Sequence, residues 1–289
     1  MNPSTDQSLL AGEERAPVVV LGASSVTGRF LLARLVSAAV PVLAISRHAP
    51  ASSVPGVTWI EHDLETGPPP VQAAVIVSLG PLKFAAGLAE ALTGVRRLVA
   101  LSSASVLFKQ HSPDSEERGM IAELADCEHR LHQLAEARSM ALTLLRPTLI
   151  YGSDADGNVS RIAGLAGRLP WLPYAGRGLR QPVHADDLAR IVITCLSHPE
   201  HSAGTWSLAG GEALSYPDML RRIASRTGRA PRLLWMPAAL LKLGVRLAHL
   251  AGRQRDIRPV MIDRQHQDLV VDDQPAREQL GWNPRPFRP

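Results

Sequence analysis

The feature that most constrains the fold is a glycine-bounded turn between two apolar runs near the start of the chain. The run Val18–Leu21 leads into a turn that begins at Gly22 and ends at Gly28, an apolar-periodic segment follows, and residues 42–45 form a second apolar run after Pro41. The pattern predicts a strand, a tight turn, a helix that stops before the proline and a second strand. A parallel strand pair with a helical crossover places a helix N-terminus where it can face a dinucleotide pyrophosphate. Residues 22–28 therefore predict a dinucleotide-binding cradle.

Strand and helix patterns alternate through the first half of the chain. Short apolar runs predict strands at 18–21, 42–45, 57–60, 73–79, 97–101 and 141–145, and helical periodicity predicts helices at 26–39, 81–93 and 116–138. The Pro-rich residues 67–70 break the crossover between the third and fourth strands. Continuous apolar runs indicate strands that are covered on both faces. The expected fold class is α/β, a Rossmann doubly wound parallel sheet with a small C-terminal substrate lobe.

The alternation weakens after about Tyr151, which predicts three regions. Residues 1–15 are polar and predict a flexible tail, residues 16–150 the main NAD(P)-binding Rossmann region, and residues 151–289 a smaller substrate-binding lobe with a late strand and helix returning to the sheet. The lobe is expected to close the crevice beyond the carboxyl ends of the strands. Its apolar helix at 237–250 has a small polar face, which favours core or dimer packing over a membrane surface.

Composition argues against several classes of protein. The 289 residues carry a net charge of +4 and 4% aromatic residues, and no basic block interleaves with aromatics, so nucleic-acid binding is not expected. Cys127 and Cys195 lie far apart, which indicates neither a disulfide framework nor a metal site. Residues 1–15 lack the apolar core of a signal peptide, and no apolar run is long enough for a membrane span. A reducing, cytoplasmic location is therefore expected.

The glycine turn and the end of the second strand indicate which cofactor binds. Gly22 is expected to supply the tight turn and Gly28 the close contact between helix and strand, while the Ser25 hydroxyl is available to a phosphate oxygen. An acidic residue after the second strand would bind the adenosine 2′-hydroxyl of NAD, but this chain has Arg47, whose guanidinium suits the 2′-phosphate of NADP. Asp63 is expected either to flank the adenine or to cap a turn. The pattern favours NADP, with NAD as the alternative.

Several longer motifs resemble one known family. They are 22–28 (Gly-Ala-Ser-Ser-Val-Thr-Gly), 101–106 (Leu-Ser-Ser-Ala-Ser-Val), 145–152 (Leu-Arg-Pro-Thr-Leu-Ile-Tyr-Gly), 183–189 (Val-His-Ala-Asp-Asp-Leu-Ala) and 280–284 (Leu-Gly-Trp-Asn-Pro). Together they make the chain similar to the extended and atypical short-chain dehydrogenases/reductases, which include nucleotide-sugar epimerases and dehydratases. The resemblance implies that Ser103 hydrogen-bonds the reacting oxygen of a small-molecule substrate and that Pro147 lies near the nicotinamide. The candidate cofactor-binding residues are then Gly22, Ser24, Ser25, Val26, Gly28, Ser46, Arg47, Asp63, Leu64, Leu79, Gly80, Ser102 and Pro147.

The chain lacks the Tyr-x-x-x-Lys pair with which that family moves the substrate proton. Counting back from Glu128 places Met120 at the tyrosine position and Leu124 at the lysine position, and no other Tyr-x-x-x-Lys occurs in the sequence. Neither side chain can titrate. Ser103 remains the catalytic candidate, and the residues near it that could supply another acid are His111, Glu117 and Glu123.

This absence leaves several functions open. The preferred hypothesis is an NADP(H)-dependent oxidoreductase that acts on a small carbonyl or sugar-like substrate with another acid. A second is a non-catalytic NADP-binding regulatory or assembly protein. A third is an enzyme whose substrate, such as a quinone or a flavin-like acceptor, needs no protein acid. A nucleotide-sugar epimerase or dehydratase is a further alternative, which the missing pair weakens.

The resemblance also implies structural roles. It places residues 184–187 (His-Ala-Asp-Asp) at the hinge to the lobe, where an aspartate is expected to cap the next helix rather than to bind a metal. Tyr151 is expected to pack or to hydrogen-bond near the cleft without transferring the proton. The long helices at 81–93 and 116–138 suit the helix-bundle dimer common in the family, so a homodimer is the expected assembly.

Overall fold

The apolar runs of the sequence become strands, and the periodic segments become helices, in a computed structural model that describes residues 16–49, 54–153, 156–228, 232–250 and 258–289. In chain order the strands are β1 (Val18–Leu21), β2 (Val42–Ser46), β3 (Val57–Glu61), β4 (Val75–Ser78), β5 (Arg97–Leu101), β6 (Ala141–Pro147), β7 (Ile150–Tyr151), β8 (Trp171–Tyr174), β9 (Leu179–Arg180), β10 (Val183–His184), β11 (Gly204–Leu208), β12 (Leu214–Ser215) and β13 (Arg232–Trp235). The helices are α1 (Val26–Ser37), α2 (Leu82–Ala91), α3 (Ser105–Phe108), α4 (Ser115–Arg138), α5 (Val159–Ala166), α6 (Ala185–Ser197), α7 (Pro199–Ser202), α8 (Tyr216–Ser225), α9 (Ala238–Leu250), α10 (Pro259–Asp263) and α11 (Gln274–Leu280).

Seven parallel strands form the central sheet in the order β11-β6-β5-β4-β1-β2-β3. β1 pairs with β2 on one side and with β4 on the other, so the strand order reverses beside β1. Open α/β sheets bind their ligands at the carboxyl ends of the strands at such a reversal. The predicted fold class, an α/β doubly wound parallel sheet of the Rossmann kind, is confirmed.

Helices cover both faces of this sheet. Successive residues of β1 point to opposite faces, so that Val18 and Val20 join the core beneath α1 and α6 while Val19 and Leu21 join the core beneath α2 and α4. All four side chains are fully buried. The apolar runs are continuous because the strands are covered on both faces.

Most predicted elements lie within a few residues of their observed bounds. α1 ends at Ser37, before Pro41, and residues 67–70 do interrupt the crossover, where the structure has a short 3₁₀ turn at Leu64–Thr66. The predicted helix at 116–138 begins one residue earlier than expected, after a short helix that was not predicted. α3 reaches Phe108, and α4 begins at Ser115 because the Asp114 carboxylate caps it by accepting a hydrogen bond from the Glu117 amide at 3.1 Å. The predicted tail at 1–15 lies outside the described residues.

After Tyr151 the chain builds a set of short strand pairs, β7 with β10, β9 with β12 and β8 with β13. Two later elements join the main sheet and its helices, because β11 pairs with β6 and α6 packs on α1. The last residues of the chain contact both the main sheet region and the short strand pairs. The Trp282 indole donates to the Ala209 carbonyl at 3.0 Å, and the Arg288 amide donates to the Tyr151 hydroxyl at 3.2 Å.

The helix α9 differs from its prediction. Of its apolar residues only Val245 is buried, while four leucines form an exposed stripe: Leu240, Leu243, Leu247 and Leu250. Core packing is therefore wrong for this face of the helix, and packing against a second copy of the chain stays a prediction. Within the described ranges, no helix combines the length and the apolarity that crossing a bilayer requires.

Candidate functional site

The glycine turn after β1 packs so tightly against neighbouring backbone that a side chain would not fit at either glycine. Gly22 has φ +72°, a conformation that favours glycine, and a Cβ added there would lie 2.8 Å from the Gly80 nitrogen. A Cβ on Gly28 would lie 2.3 Å from the Ala23 carbonyl oxygen, so this glycine lets α1 approach the turn. The geometry is that of a bare backbone facing a helix N-terminus, which is how a pyrophosphate is held.

Ser25 caps α1. Its hydroxyl oxygen accepts a hydrogen bond from the Gly28 amide at 3.1 Å, and Val26 is the first residue of the helix. A serine hydroxyl has one proton to donate besides the lone pairs that accept. The Ser25 hydroxyl can therefore cap the helix and donate to a phosphate oxygen at the same time.

A cleft of about 320 Å³ opens beside this turn at the carboxyl ends of β1, β2 and β4. Seven of the predicted cofactor residues line it: Gly22, Ser24, Ser46, Arg47, Asp63, Leu64 and Gly80. It is also lined by residues that the sequence did not suggest, namely Leu21, His62, Glu65, Pro81 and Phe84. Of the other candidates, Leu79 contributes backbone next to Gly22, while Ser102 and Pro147 belong to the neighbouring strand ends.

Arg47 is the exposed cation at the mouth of this cleft. Within the described part of the chain its guanidinium makes no hydrogen bond or ion pair. Asp63 both lines the cleft and caps the 3₁₀ turn that follows β3, since its carboxylate accepts from the Glu65 amide at 3.1 Å. Both roles proposed for Asp63 are therefore compatible with its position, and Arg47 is left available to an anion.

A second cavity, of about 420 Å³, lies between the ends of β5 and β6 and the small lobe. Ser103 and Pro147 line it, as does Tyr216 from α8. The Ser103 hydroxyl oxygen accepts a hydrogen bond from the Ser105 amide at 3.1 Å, at the start of α3, and it can still donate its proton into the cavity. Four cationic residues also line the wall: Lys109, Arg161, Arg180 and Arg264.

A buried carboxylate fixes the helix beside this cavity. Glu128 of α4 accepts a hydrogen bond from the Ser102 hydroxyl and is paired with Arg146, whose Nε lies 2.9 Å from its Oε1. Ser102 directly follows β5, Glu128 lies in α4 and Arg146 lies in β6. Ser102 was predicted to bind the cofactor, and in the structure its hydroxyl is directed to Glu128.

Neither residue at the expected Tyr-x-x-x-Lys positions reaches the cavity lining in the described structure. Met120 is 47% exposed, and Leu124 packs partly buried against the core beneath α2 and α4. Two of the alternative acids, His111 and Glu123, are exposed and are likewise not among the lining residues. The third, Glu117, is buried next to the cavity.

Glu117 stands between two of the cavity cations. Its Oε1 lies 3.4 Å from the Lys109 Nζ, and its Oε2 is paired with Arg264. Burial alone would raise the pKa of Glu117, but Ser112, Lys109 and Arg264 together hold it below its ordinary value. Burial, and then the Arg264 guanidinium, lower the pKa of Lys109. The sequence did not suggest Lys109, because the expected Tyr-x-x-x-Lys pair would lie on α4. It did not suggest Arg264 either, because that residue is far from Glu117 in the sequence.

The His-Ala-Asp-Asp stretch corrects a further prediction. The cap of α6 is the His184 ring, whose Nδ1 accepts from the Asp186 amide at 3.0 Å, and not an aspartate side chain. The two aspartates instead pair with arginines, Asp186 with Arg34 at 2.7 Å and Asp187 with Arg285 at 2.8 Å. A ring nitrogen can cap a helix as a carboxylate does, which is why the residue types alone did not distinguish the two.

Neither cysteine suits nucleophilic chemistry. Burial raises the pKa of the Cys195 thiol to about 12, and burial likewise raises the pKa of Cys127. The described residues also contain no group of three or more His, Cys, Asp or Glu side chains placed to hold a metal ion.

Comparison with known proteins agrees with this geometry. The chain is 27% identical to a UDP-glucose 4-epimerase of Vibrio cholerae over 203 residues, which are 66% of this chain and 60% of that protein. It is 31% identical over 231 residues, 73% of its length, to an uncharacterized Mycobacterium tuberculosis protein of which it spans only 23%. No protein-family model matches. The resemblance to the extended short-chain dehydrogenase/reductase family is confirmed.

Several solved structures, two epimerases among them, have the same fold. The epimerase Mth375 of Methanothermobacter thermautotrophicus superposes with a TM-score of 0.71 at 15% identity, covering 99% of this chain and 93% of that one. A Thermus thermophilus UDP-glucose 4-epimerase in complex with NAD gives 0.66 at 17% identity, covering 94% and 96%. MoeE5, in complex with UDP-glucuronic acid and NAD, gives 0.66 at 19%, covering 94% and 95%. Identities this low establish the fold alone.

A shorter match is to a protein of a different kind, not named as an epimerase. Over 92 residues, 32% of this chain and 26% of the relative, the sequence is 28% identical to the NADH dehydrogenase [ubiquinone] 1 alpha subcomplex subunit 9 of Dictyostelium discoideum. The chain thus spans at most about 60% of the curated relatives described here.

Proposed function

We propose that the chain binds NAD(P)(H) in the cleft between Gly22 and Gly80, prefers NADP, and acts as an oxidoreductase on a small carbonyl or sugar-like substrate held in the adjoining cavity. The observation that carries the proposal is the placement of both spaces at the carboxyl edge of one parallel sheet, at its switch point. The bare glycine turn and Arg47, which has no partner among the described residues, make one space suited to a dinucleotide. Ser103 gives the other a hydroxyl for a reacting oxygen.

The residues of the cleft fit the cofactor on their own geometry. Gly22 and Gly28 leave the space that a pyrophosphate needs at the start of α1, and Ser25 has a proton to donate there. Arg47 provides the planar donor fork that a 2′-phosphate favours. The nicotinamide would supply the hydride, and the chain would position it and polarise the substrate. The NAD complexes of the Thermus epimerase and of MoeE5 support the same use of this fold.

The cavity favours a substrate with negative charge or many hydroxyls. Lys109, Arg180 and Arg264 line it together with Ser103 and the Tyr216 ring. Such a wall attracts carboxylates or phosphates and offers donors to sugar oxygens. The match to a UDP-glucose 4-epimerase agrees with a substrate of this class.

The cofactor part is tested by calorimetric titration with NADPH and NADH. We expect NADPH to bind roughly ten- to a hundredfold more tightly, because a charged hydrogen bond to the 2′-phosphate contributes about 1.5–3 kcal/mol. Arg47→Asp should remove this preference, since it replaces the cation with an anion that repels the phosphate. Arg47→Lys is the matched control, which keeps the charge without the fork and should retain part of the preference. Equal wild-type affinities for the two nucleotides would show that Arg47 does not choose the cofactor.

The catalytic part is tested by NADPH oxidation against a panel of carbonyl compounds and sugars, with UDP-glucose among them. Turnover that is lost in Ser103→Ala, with unchanged NADPH affinity, supports the oxidoreductase. An unchanged rate in that variant would remove the serine from the reaction.

Two other functions are also supported by particular observations. The non-titrating Met120 and Leu124, together with the partial match to a respiratory-complex subunit, favour a non-catalytic NADP-binding protein. The match to UDP-glucose 4-epimerase favours an epimerase. Tight NADPH binding without turnover on any substrate would favour the first, and interconversion of UDP-glucose and UDP-galactose without net NADPH oxidation would favour the second.

A further inference from the structure

Lys109 occupies an unusual place for a lysine. It directly follows the short helix α3, which begins beside Ser103, and both side chains line the same cavity. The backbone turns there because the Lys109 amide donates to the Ser105 carbonyl at 3.0 Å. The Lys109 side chain is only 24% exposed, whereas most lysine side chains extend into water. It is one of three lysines in the chain, with Lys83 and Lys242.

Glu117 holds this ammonium in position. The carboxylate sits at the start of α4, where it contacts the Lys109 Nζ with one oxygen and Arg264 with the other. The group therefore has two cations and one anion, so that a net positive charge is left on the cavity wall. A buried carboxylate that is already paired with Arg264 makes a poor proton donor, but the ammonium beside it has protons to give.

The charges around Lys109 favour release of its proton. Burial is the main cause of its lowered pKa, and Arg264 and Arg258 act in the same direction, while Glu117 opposes them. Arg258 is itself paired with Asp114 and Glu116. A lysine whose pKa is lowered toward the working pH is a better general acid than an ordinary one.

We propose that Lys109 is the proton donor of this cavity, in the role that a tyrosine and lysine pair on α4 would otherwise have. The proposal rests on the proposed oxidoreductase function. In the reduction, a reduced nicotinamide held in the cleft would supply the hydride to the carbonyl carbon and would itself be oxidised. The Lys109 ammonium gives its proton to the carbonyl oxygen, so that C=O becomes CH–OH, and the neutral Lys109 amine that remains takes up a proton from the bulk solvent. Glu117 is a positioning residue.

The first test does not depend on turnover. Reductive methylation with ¹³C-formaldehyde places an NMR reporter on each lysine of the intact protein, and single Lys→Arg variants assign the signals. The reference is Lys83, whose pKa is raised by its hydrogen bond to Glu65. We expect Lys109 to titrate at lower pH than Lys83. Titration of Lys109 at or above the pH of Lys83 would overturn the proposal.

The second test uses NADPH oxidation with a carbonyl substrate. Lys109→Met should lower kcat by about 10²–10⁴-fold and leave the NADPH affinity unchanged, and Lys109→Arg should not restore the rate because arginine keeps its proton. Lys242→Met is the control, since this lysine pairs with Asp263 on another helix and should leave kcat unchanged. The wild-type rate should fall as the pH rises through the Lys109 titration, and this limb should vanish in Lys109→Met.

The outcomes separate this proposal from the function on which it rests. If the wild type turns over and Lys109→Met keeps its rate, the donor role is wrong and the oxidoreductase stands. If the wild type binds NADPH but reduces no carbonyl, the oxidoreductase and the donor role both fail. Retained NADPH binding by each variant shows that it is folded.

Discussion

The cleft beside the glycine turn and the cavity beside Ser103 lie at the same edge of the sheet, but different features of the chain shape them. The turn beside the cleft depends on backbone, with Gly22 and Gly28 where side chains would collide, and Arg47 lies at the mouth of the cleft without a partner among the described residues. The cavity is made of charged side chains that come from distant parts of the sequence, such as Lys109 and Arg264. The difference leads us to expect that a substitution in one of these two spaces leaves the other unchanged. The cleft depends on the local shape of the backbone. The cavity depends on which charged side chains the fold brings together.

The largest effect on stability is expected from removal of the buried Glu128 carboxylate, which pairs with Arg146. Glu128→Leu should destabilise the protein by about 3–5 kcal/mol, because it leaves Arg146 without its partner in a largely buried setting. The control is Glu90→Leu, which removes an ion pair with Arg130 in which both side chains are 41% exposed and should cost less than about 1 kcal/mol. Urea unfolding of both variants measures the difference. Similar losses would mean that the Glu128 network is not what holds α4.

The next largest effect is expected at Gly28, where backbone packs tightly at the start of α1. Gly28→Ala should cost about 1–3 kcal/mol and weaken NADPH binding, because its Cβ would lie 2.3 Å from the Ala23 oxygen. Gly87→Ala is the matched control, since Gly87 lies within α2 with no atom within 4 Å of an added Cβ. That variant should be stabilised by about 0.5–1 kcal/mol through helix propensity. Thermal unfolding and NADPH titration follow both, and two alanines of equal effect would refute the close packing inferred at Gly28.

The smallest effect is expected at the two positions where the family resemblance places the proton-transferring pair. Met120→Tyr combined with Leu124→Lys should leave the NADPH dissociation constant within about twofold, because neither position lines the cleft or the cavity in the described structure. Leu124 is partly buried, so a stability loss of about 1 kcal/mol is expected. A loss of cofactor binding in the folded variant would show that these positions face the nucleotide after all.

The same contrast explains how much the sequence could predict. The sheet and the glycine turn were predicted because each strand and turn is encoded by consecutive residues, and seven cleft residues followed from them. The Glu117 cluster was not, because Lys109, Glu117 and Arg264 meet only after the chain between them has folded. The cap at His184 was assigned to an aspartate because both can accept the same hydrogen bond. The sequence did not decide between core and dimer packing for the leucines of α9, because periodicity shows an apolar face and not what covers it.

Ion pairs hold the helix α4 at two points, one in its first turn and one near its centre. Glu117 holds its first turn to Arg264, and Glu128 holds its centre to Arg146, while Met120 lies between them and is half exposed. These two ion pairs involve neither Met120 nor Leu124, the positions at which the short-chain dehydrogenase/reductase family has its proton-transferring pair. An ancestor could lose or regain its proton-transferring pair here without moving the scaffold, and a designer could install new side chains at these positions in the same way.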